Sequence, residues 1–240
     1  MEQFPTLIHV THWKAGSQWI HKILRTCFPN NIIQPSLGNV QFVNQKIVSG
    51  GVYPTVYVTK EEFDTAILPE NYYKFIVIRD LRDTLISGYY SIKISHPPMG
   101  QIADWRKILN EVSLEDGLLF LMKNWLPDSA AIQQSWLNAR EELIRYEDLL
   151  EHDLDLLHDL LINKAMMNID PENLRTVILE SRFENVTGGR KLGQENLHVH
   201  ERKGIPGDWK NHFSDRIRHE FKLQFGDLLA NTGYEANSSW

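Results

Sequence analysis

The sequence predicts an α/β fold: a central, mostly parallel sheet flanked by helices. Three observations point there. Short apolar runs alternate with longer amphipathic ones along the chain. The run 74–78, Lys-Phe-Ile-Val-Ile, is apolar on both faces, as in a strand covered from both sides. The length of 240 residues suits a single domain over residues 1–240, without internal repeats or low-complexity segments.

The elements follow in order. Residues 6–10 form a buried strand. Residues 17–28 form a helix whose apolar face carries Trp19, Ile20, Ile23, Leu24 and Cys27 at helical spacing. Residues 55–59 are a β-rich run, and 74–78 are the clearest strand. A helix is expected over 83–95, and another over 114–138 with a break at Pro127. Residues 142–146 give a short strand, followed by a leucine-rich helix over about 148–166. Pro171 suits the first position of the next helix. Residues 187–207 are rich in glycine and poor in large apolar groups, which predicts a long loop. The last helix covers 214–230.

Composition narrows the function classes. Hydrophobic residues make up 42% and charged residues 23%, an ordinary globular balance. A single cysteine, Cys27, excludes an internal disulfide framework and a cysteine-based zinc site. The N-terminus lacks a signal-peptide pattern, and no run approaches 18 uninterrupted apolar residues. A soluble, cytoplasmic protein with no membrane span is expected. The 25 basic and 31 acidic residues leave a net charge of −6, a poor match for a nucleic-acid binder. One small anionic ligand needs only a few basic groups in the right place.

Three segments offer them. In parallel sheets ligands bind beyond the carboxyl ends of the strands. Directly after the first strand comes Trp13-Lys14-Ala15-Gly16-Ser17-Gln18-Trp19, a turn that opens a helix. Helix N-termini hold anions, Lys14 adds a charge and Ser17 a hydroxyl. Lys14 precedes Gly16, so this is not the nucleoside-triphosphate loop, which places Lys after its last glycine. After the 74–78 strand come Arg79-Asp80-Leu81-Arg82-Asp83 and, further along, Ser87; an arginine fork with a hydroxyl suits a phosphate. The third segment is Arg202-Lys203-Gly204 followed by Gly207-Asp208-Trp209-Lys210-Asn211-His212-Phe213.

Together with Tyr146-Glu147-Asp148-Leu149, these ordered motifs resemble the cytosolic-type sulfotransferases, over residues 6 to about 230. The resemblance implies a PAPS-dependent enzyme: sulfuryl transfer from 3′-phosphoadenosine 5′-phosphosulfate (PAPS) to a hydroxyl or amine of a small-molecule acceptor, leaving PAP. It makes the turn after the first strand a P-loop-like phosphosulfate loop. Lys14, Ala15, Gly16, Ser17, Gln18 and Trp19 form that loop, with Lys14 near the bridging oxygen and Trp19 against the adenine. Arg79 and Ser87 hold the 3′-phosphate, closed by Arg202, Lys203 and Gly204. Tyr146 and Phe183 are the further adenine contacts.

The departures are informative. The usual loop has Pro before Lys and Thr-Thr before Trp; here Trp13, Ser17 and Gln18 stand instead. The usual basic histidine lies about seven residues before a Leu-Leu-Pro. Counting back from Pro69 reaches Glu62, with Lys60 matching the family lysine. Lys14, Lys60 and Glu62 are therefore the catalytic candidates: Lys14 for the leaving oxygen, Lys60 for the sulfuryl oxygens, Glu62 as base if burial raises its pKa. His21 and His96 are rivals for that role. In-line sulfuryl transfer needs positioning and positive charge, which lysine and helix N–H groups supply without a metal. Two other readings stand beside this one: a P-loop-type kinase using Asp80 or Asp148 for Mg²⁺, and a non-catalytic module binding adenosine bisphosphate. The aromatic residues between 96 and 138 either line an acceptor pocket or fill the core.

Overall fold

The computed structural model describes residues 5–35, Phe42, 46–237 and Trp240. The chain order is β1 Thr6–Thr11, α1 Ser17–Cys27, β2 Val52–Val56, α2 Lys60–Asp64, β3 Tyr72–Ile78, α3 Leu81–Tyr90, α4 Gln101–Glu111, α5 Leu114–Asn124, α6 Leu126–Asn138, β4 Leu143–Arg145, α7 Tyr146–Glu151, α8 Asp153–His158, α9 Pro171–Glu180, α10 Phe183–Val186 and α11 Asp215–Asn231. Wider π turns extend α3 over Ser91–Ser95 and α8 over Asp159–Lys164, and a 3-10 turn covers Asp208–Asn211.

The alternating pattern is realised as an α/β fold. The boundaries correct several expectations. The second strand lies earlier, at Val52–Val56, and leaves residues 57–59 to a connection held by side chains of α6. The break in 114–138 falls at Trp125, so Pro127 sits near the start of α6, where a missing N–H is harmless. The 148–166 helix starts at Tyr146 and is interrupted at His152. The helix Gln101–Glu111 was not anticipated; of its residues only Leu109 is buried.

The chain divides into two compact units, Met1–Arg79 with Ile132–Val186, and Asp80–Ala131 with Thr187–Trp240. The first holds the sheet, four parallel strands in the order β2-β1-β3-β4 among the described residues. β1 is buried along its whole length, and β3 passes from exposed to buried toward its carboxyl end. The predicted face of α1, through Ile20, Ile23 and Leu24, packs with Leu7, Phe75 and Val77 of the strands and Leu174 and Val177 of α9. Each such side chain contributes about 1.5–3 kcal/mol by leaving water.

The chain runs from β1 out to β2 and then returns to β3 on the other side of β1. That reversal between β1 and β3 is the switch point at which doubly wound sheets open a crevice for ligands. The residues that leave β1 and β3 there are 12–19 and Arg79.

In the second unit α3 begins at Asp80, whose carboxylate accepts the Arg82 N–H at 2.8 Å. Gly88 on α3 faces Trp125 so closely that a Cβ would lie 2.3 Å from the indole. A side chain there would push the helices apart. Met122 in this unit and Trp136 in the first are fully buried, so these two residues between 96 and 138 fill the core.

Candidate functional site

The loop after β1 is shaped by unusual backbone. Lys14 has φ +67° and Gly16 +81°. For lysine the left-handed conformation costs about 1–2 kcal/mol, so surrounding contacts must hold it. Arg79 does so, its guanidinium donating to the Lys14 carbonyl at 2.8 Å. His12 in turn holds Arg79. The Trp13 carbonyl takes the His12 Nδ1 hydrogen at 3.0 Å, which leaves Nε2 as an acceptor. That nitrogen receives the Arg79 backbone N–H at 3.1 Å and the Gln133 amide at 2.8 Å. Gln133 also donates to the Arg79 carbonyl at 2.7 Å. Burial, the larger effect, and the nearby Arg79 charge push the His12 pKa down to about 3 against the raising effect of the Trp13 carbonyl, so the ring is a neutral brace.

Gly16 caps α1 and offers no side chain, so the first turn of the helix takes no side-chain cap. A Cβ at Gly16 would fall 2.5 Å from the Tyr146 ring, which accounts for glycine beyond its φ. Tyr146 also receives the edge of Trp19, ring centroids 6.3 Å apart, and lies under the Arg79 guanidinium at 5.0 Å. The structure thus brings Lys14, Ala15, Gly16, Ser17, Trp19, Arg79 and Tyr146 together at the switch point. Gln18 is the second residue of α1, with an exposed side chain. Phe183 starts the short helix α10, half-buried, beside an Arg182–Asp153 ion pair at 2.7 Å.

Lys60 and Glu62 have local partners. Lys60 Nζ pairs with Asp64 at 2.5 Å along α2, and its N–H donates to Ser135 at 2.9 Å. Glu62 is exposed and closes a capping box: its carboxylate accepts the Thr59 N–H at 2.8 Å, while the Thr59 hydroxyl accepts the Glu62 N–H. Glu62 was expected in a buried setting; the structure instead places it on the exposed face of α2, with its carboxylate engaged in the cap. The strand ends at Val56, and Tyr57 is the residue that meets the loop. Its hydroxyl lies 2.9 Å from Ser17 Oγ, and its ring is 4.9 Å from that of Trp13.

The second unit carries Ser87, Arg202, Lys203 and Gly204. Asp208 is buried and gathers the two cations, Arg202 and Lys203 both at 2.5 Å, with Asn211 at 3.0 Å and His212 at 3.3 Å. Burial opposes its ionisation, but the bonds from His212, Lys203, Arg202 and Asn211 outweigh it and hold the carboxyl far below the usual range. Arg202 also stacks 4.8 Å from the Tyr90 ring on α3, the helix that carries Ser87. Asp83 accepts the Gly207 N–H at 2.5 Å and the Trp209 N–H at 2.9 Å, fixing the turn that carries Asp208. Asp80 binds the Arg82 guanidinium at 2.6 Å, and Asp148 binds Arg145 at 2.8 Å.

His12, Tyr57, Gln133, Asp83 and Asp208 escaped the sequence reading. Asp208 stood inside a quoted motif and could have been found as the one acid among its basic residues. The others are distant in sequence from what they hold.

A parallel sheet with a left-handed, lysine-bearing turn at its switch point defines an anion-binding α/β protein. A sulfotransferase-domain family model matches residues 5–233, and the chain belongs to that family. Among curated relatives, rat sulfotransferase 1C2 is 24% identical over 94% of this chain and 84% of its own length. The guinea-pig 3-beta-hydroxysteroid sulfotransferase is 23% identical over 93% and 83%. Among solved structures, mouse sulfotransferase SULT7A1 complexed with PAP superposes with a TM-score of 0.65 at 16% identity, covering 97% of this chain and 87% of that one. Retinol dehydratase with retinol and PAP gives 0.56 at 12%, covering 95% and 82%. Among the described residues no helix is long and apolar enough to cross a membrane.

Proposed function

We propose that residues 1–240 act as one sulfotransferase domain that moves a sulfuryl group from PAPS to a hydroxyl or amine of a small-molecule acceptor. The observation that carries this reading is the Lys14 turn, held left-handed by Arg79 at the start of α1. Its donors suit an anionic phosphosulfate: a helix N-terminus with no side-chain cap, a lysine and a buried hydroxyl at Ser17. The cofactor supplies an activated sulfuryl group on a nucleotide phosphate. Lys14 stabilises charge on the bridging oxygen as the bond breaks, and the α1 N–H groups hold the phosphosulfate oxygens. Trp19 and Tyr146 offer aromatic faces for the adenine. Arg79 acts first on the loop, through Lys14. Arg202, Lys203 and Gly204 receive the 3′-phosphate, with Ser87 on α3 as a hydroxyl partner. The relatives named for steroid substrates make an apolar alcohol a sensible first acceptor to assay.

Calorimetry with PAP in EDTA should give micromolar binding, roughly −8 kcal/mol, and labelled PAPS with an acceptor library should identify a product. No heat at millimolar PAP would overturn the reading.

A further inference from the structure

We infer that Tyr57 is a positioning residue: its phenol donates to Ser17 Oγ and thereby turns the Ser17 hydroxyl toward the anion at the start of α1. The inference rests on the proposed phosphosulfate site and adds a residue to it.

β2 pairs with β1, Val56 opposite Val10, so the residue that leaves β2 emerges beside the turn that leaves β1. The connection is anchored from α6, where Trp136 donates to the Val58 carbonyl at 3.0 Å and Ser135 accepts the Lys60 N–H at 2.9 Å. Trp13 packs against the Tyr57 ring with an interplanar angle of 31°. The phenol is thereby delivered to Ser17, the first residue of α1, which is itself buried.

Two hydroxyls 2.9 Å apart share one hydrogen. The phenol is the more acidic and the better donor. Burial pushes its pKa up, against the smaller lowering effect of the Ser17 bond, so Tyr57 keeps its proton and is no general base. As an acceptor from Tyr57, Ser17 must direct its own hydrogen elsewhere, and the donation makes it a stronger donor. Gly16 supplies no side-chain cap, so Ser17 is the hydroxyl that the helix presents at its first turn.

The test is a binding cycle on the full chain, with PAP as the probe and adenosine 3′-phosphate as the analogue lacking the 5′ group. Tyr57→Phe keeps the ring against Trp13 and should weaken PAP about tenfold, the scale of one bond to a charged group. It should leave adenosine 3′-phosphate unchanged. Ser17→Ala should lose as much or more, and Tyr57→Phe should then cost nothing further. Additive losses, an equal loss for both nucleotides, or no loss would each overturn the inference. Replacing Tyr57 with 3-fluorotyrosine, a stronger donor of nearly the same shape, covers the case where Tyr57→Phe fails to fold. PAP should then bind as tightly or tighter, and weaker binding would overturn the inference. If wild-type protein binds neither nucleotide, the proposed function fails instead.

Discussion

The loop after β1 and the segment around Asp208 both hold basic side chains, but they do so by opposite means. Around Lys14 the holding groups are neutral or backbone: His12, Gln133 and the Lys14 carbonyl itself, with Arg79 as the connecting cation. Around Arg202 and Lys203 the holders are carboxylates: the buried Asp208 meets both cations directly, and Glu195 pairs with Arg202 as well. The neutral brace acts on backbone: it fixes Arg79 and, through it, the Lys14 carbonyl and the left-handed turn. An ionic hub fixes two cations in place at the cost of part of their field, which suits steady recognition of a phosphate. The first region is thus ordered through neutral and backbone groups, the second through ion pairs.

The comparison can be broken at its strongest point first. Asp208→Ala leaves two cations near a buried void, and breaking such a pair costs about 3–5 kcal/mol; a urea denaturation curve reads the loss. An effect within a few tenths of a kcal/mol would show that the hub is not structural.

Acid should separate the two regions next. Burial, the larger effect, and His21 push the His9 pKa down to about 4 despite its bond to the Pro54 carbonyl, and His12 is pushed to about 3. As pH falls below the ordinary histidine value of about 6.5, the unfolded chain takes up protons that these buried rings refuse. Stability therefore falls, by about 3 kcal/mol in total between pH 6.5 and 5 for the two residues. The Asp208 contribution has the same sign but a lower window: it persists above the ordinary aspartate value of about 3.9 and is lost only on further acidification. Hydrogen exchange at pH 5 should show protection lost in β1 and β3 before it is lost around Trp209.

Lys14→Ala should reduce kcat by about 10²–10³ while changing PAP affinity much less, because the charge it answers develops only in the transition state. A matched loss in both would place Lys14 in ground-state binding. Arg202→Ala should weaken PAP roughly 10- to 100-fold, one charge-assisted contact, and barely affect adenosine 5′-phosphate. The smallest effect belongs to Glu62→Gln. Turnover should stay within about threefold of wild type, with a stability loss of about 0.5–2 kcal/mol at most from the cap; a large drop in kcat with high-pKa acceptors would identify Glu62 as the base.

Much of this was legible in the residues. β1, β3 and α1 could be read because their apolar periodicity is local, and the turn from Trp13 to Trp19 could be placed because it lies between two of them. Arg79, Arg202 and Lys203 were found as cations at strand ends and in a glycine-rich loop. What those side chains touch could not be read. Arg79 was expected on a phosphate; that it also donates to the Lys14 carbonyl follows from the left-handed turn, which brings that oxygen within its reach. Glu62 was picked by counting from Pro69, and its place on an exposed helix depends on where β2 ends. His12 and Gln133, or Ser17 and Tyr57, become partners when β1 lies between β2 and β3 and α6 supports their carboxyl ends. Helix and strand periodicity is written residue by residue, whereas a hydrogen bond across 40 or 121 positions exists only once the sheet has set its strand order.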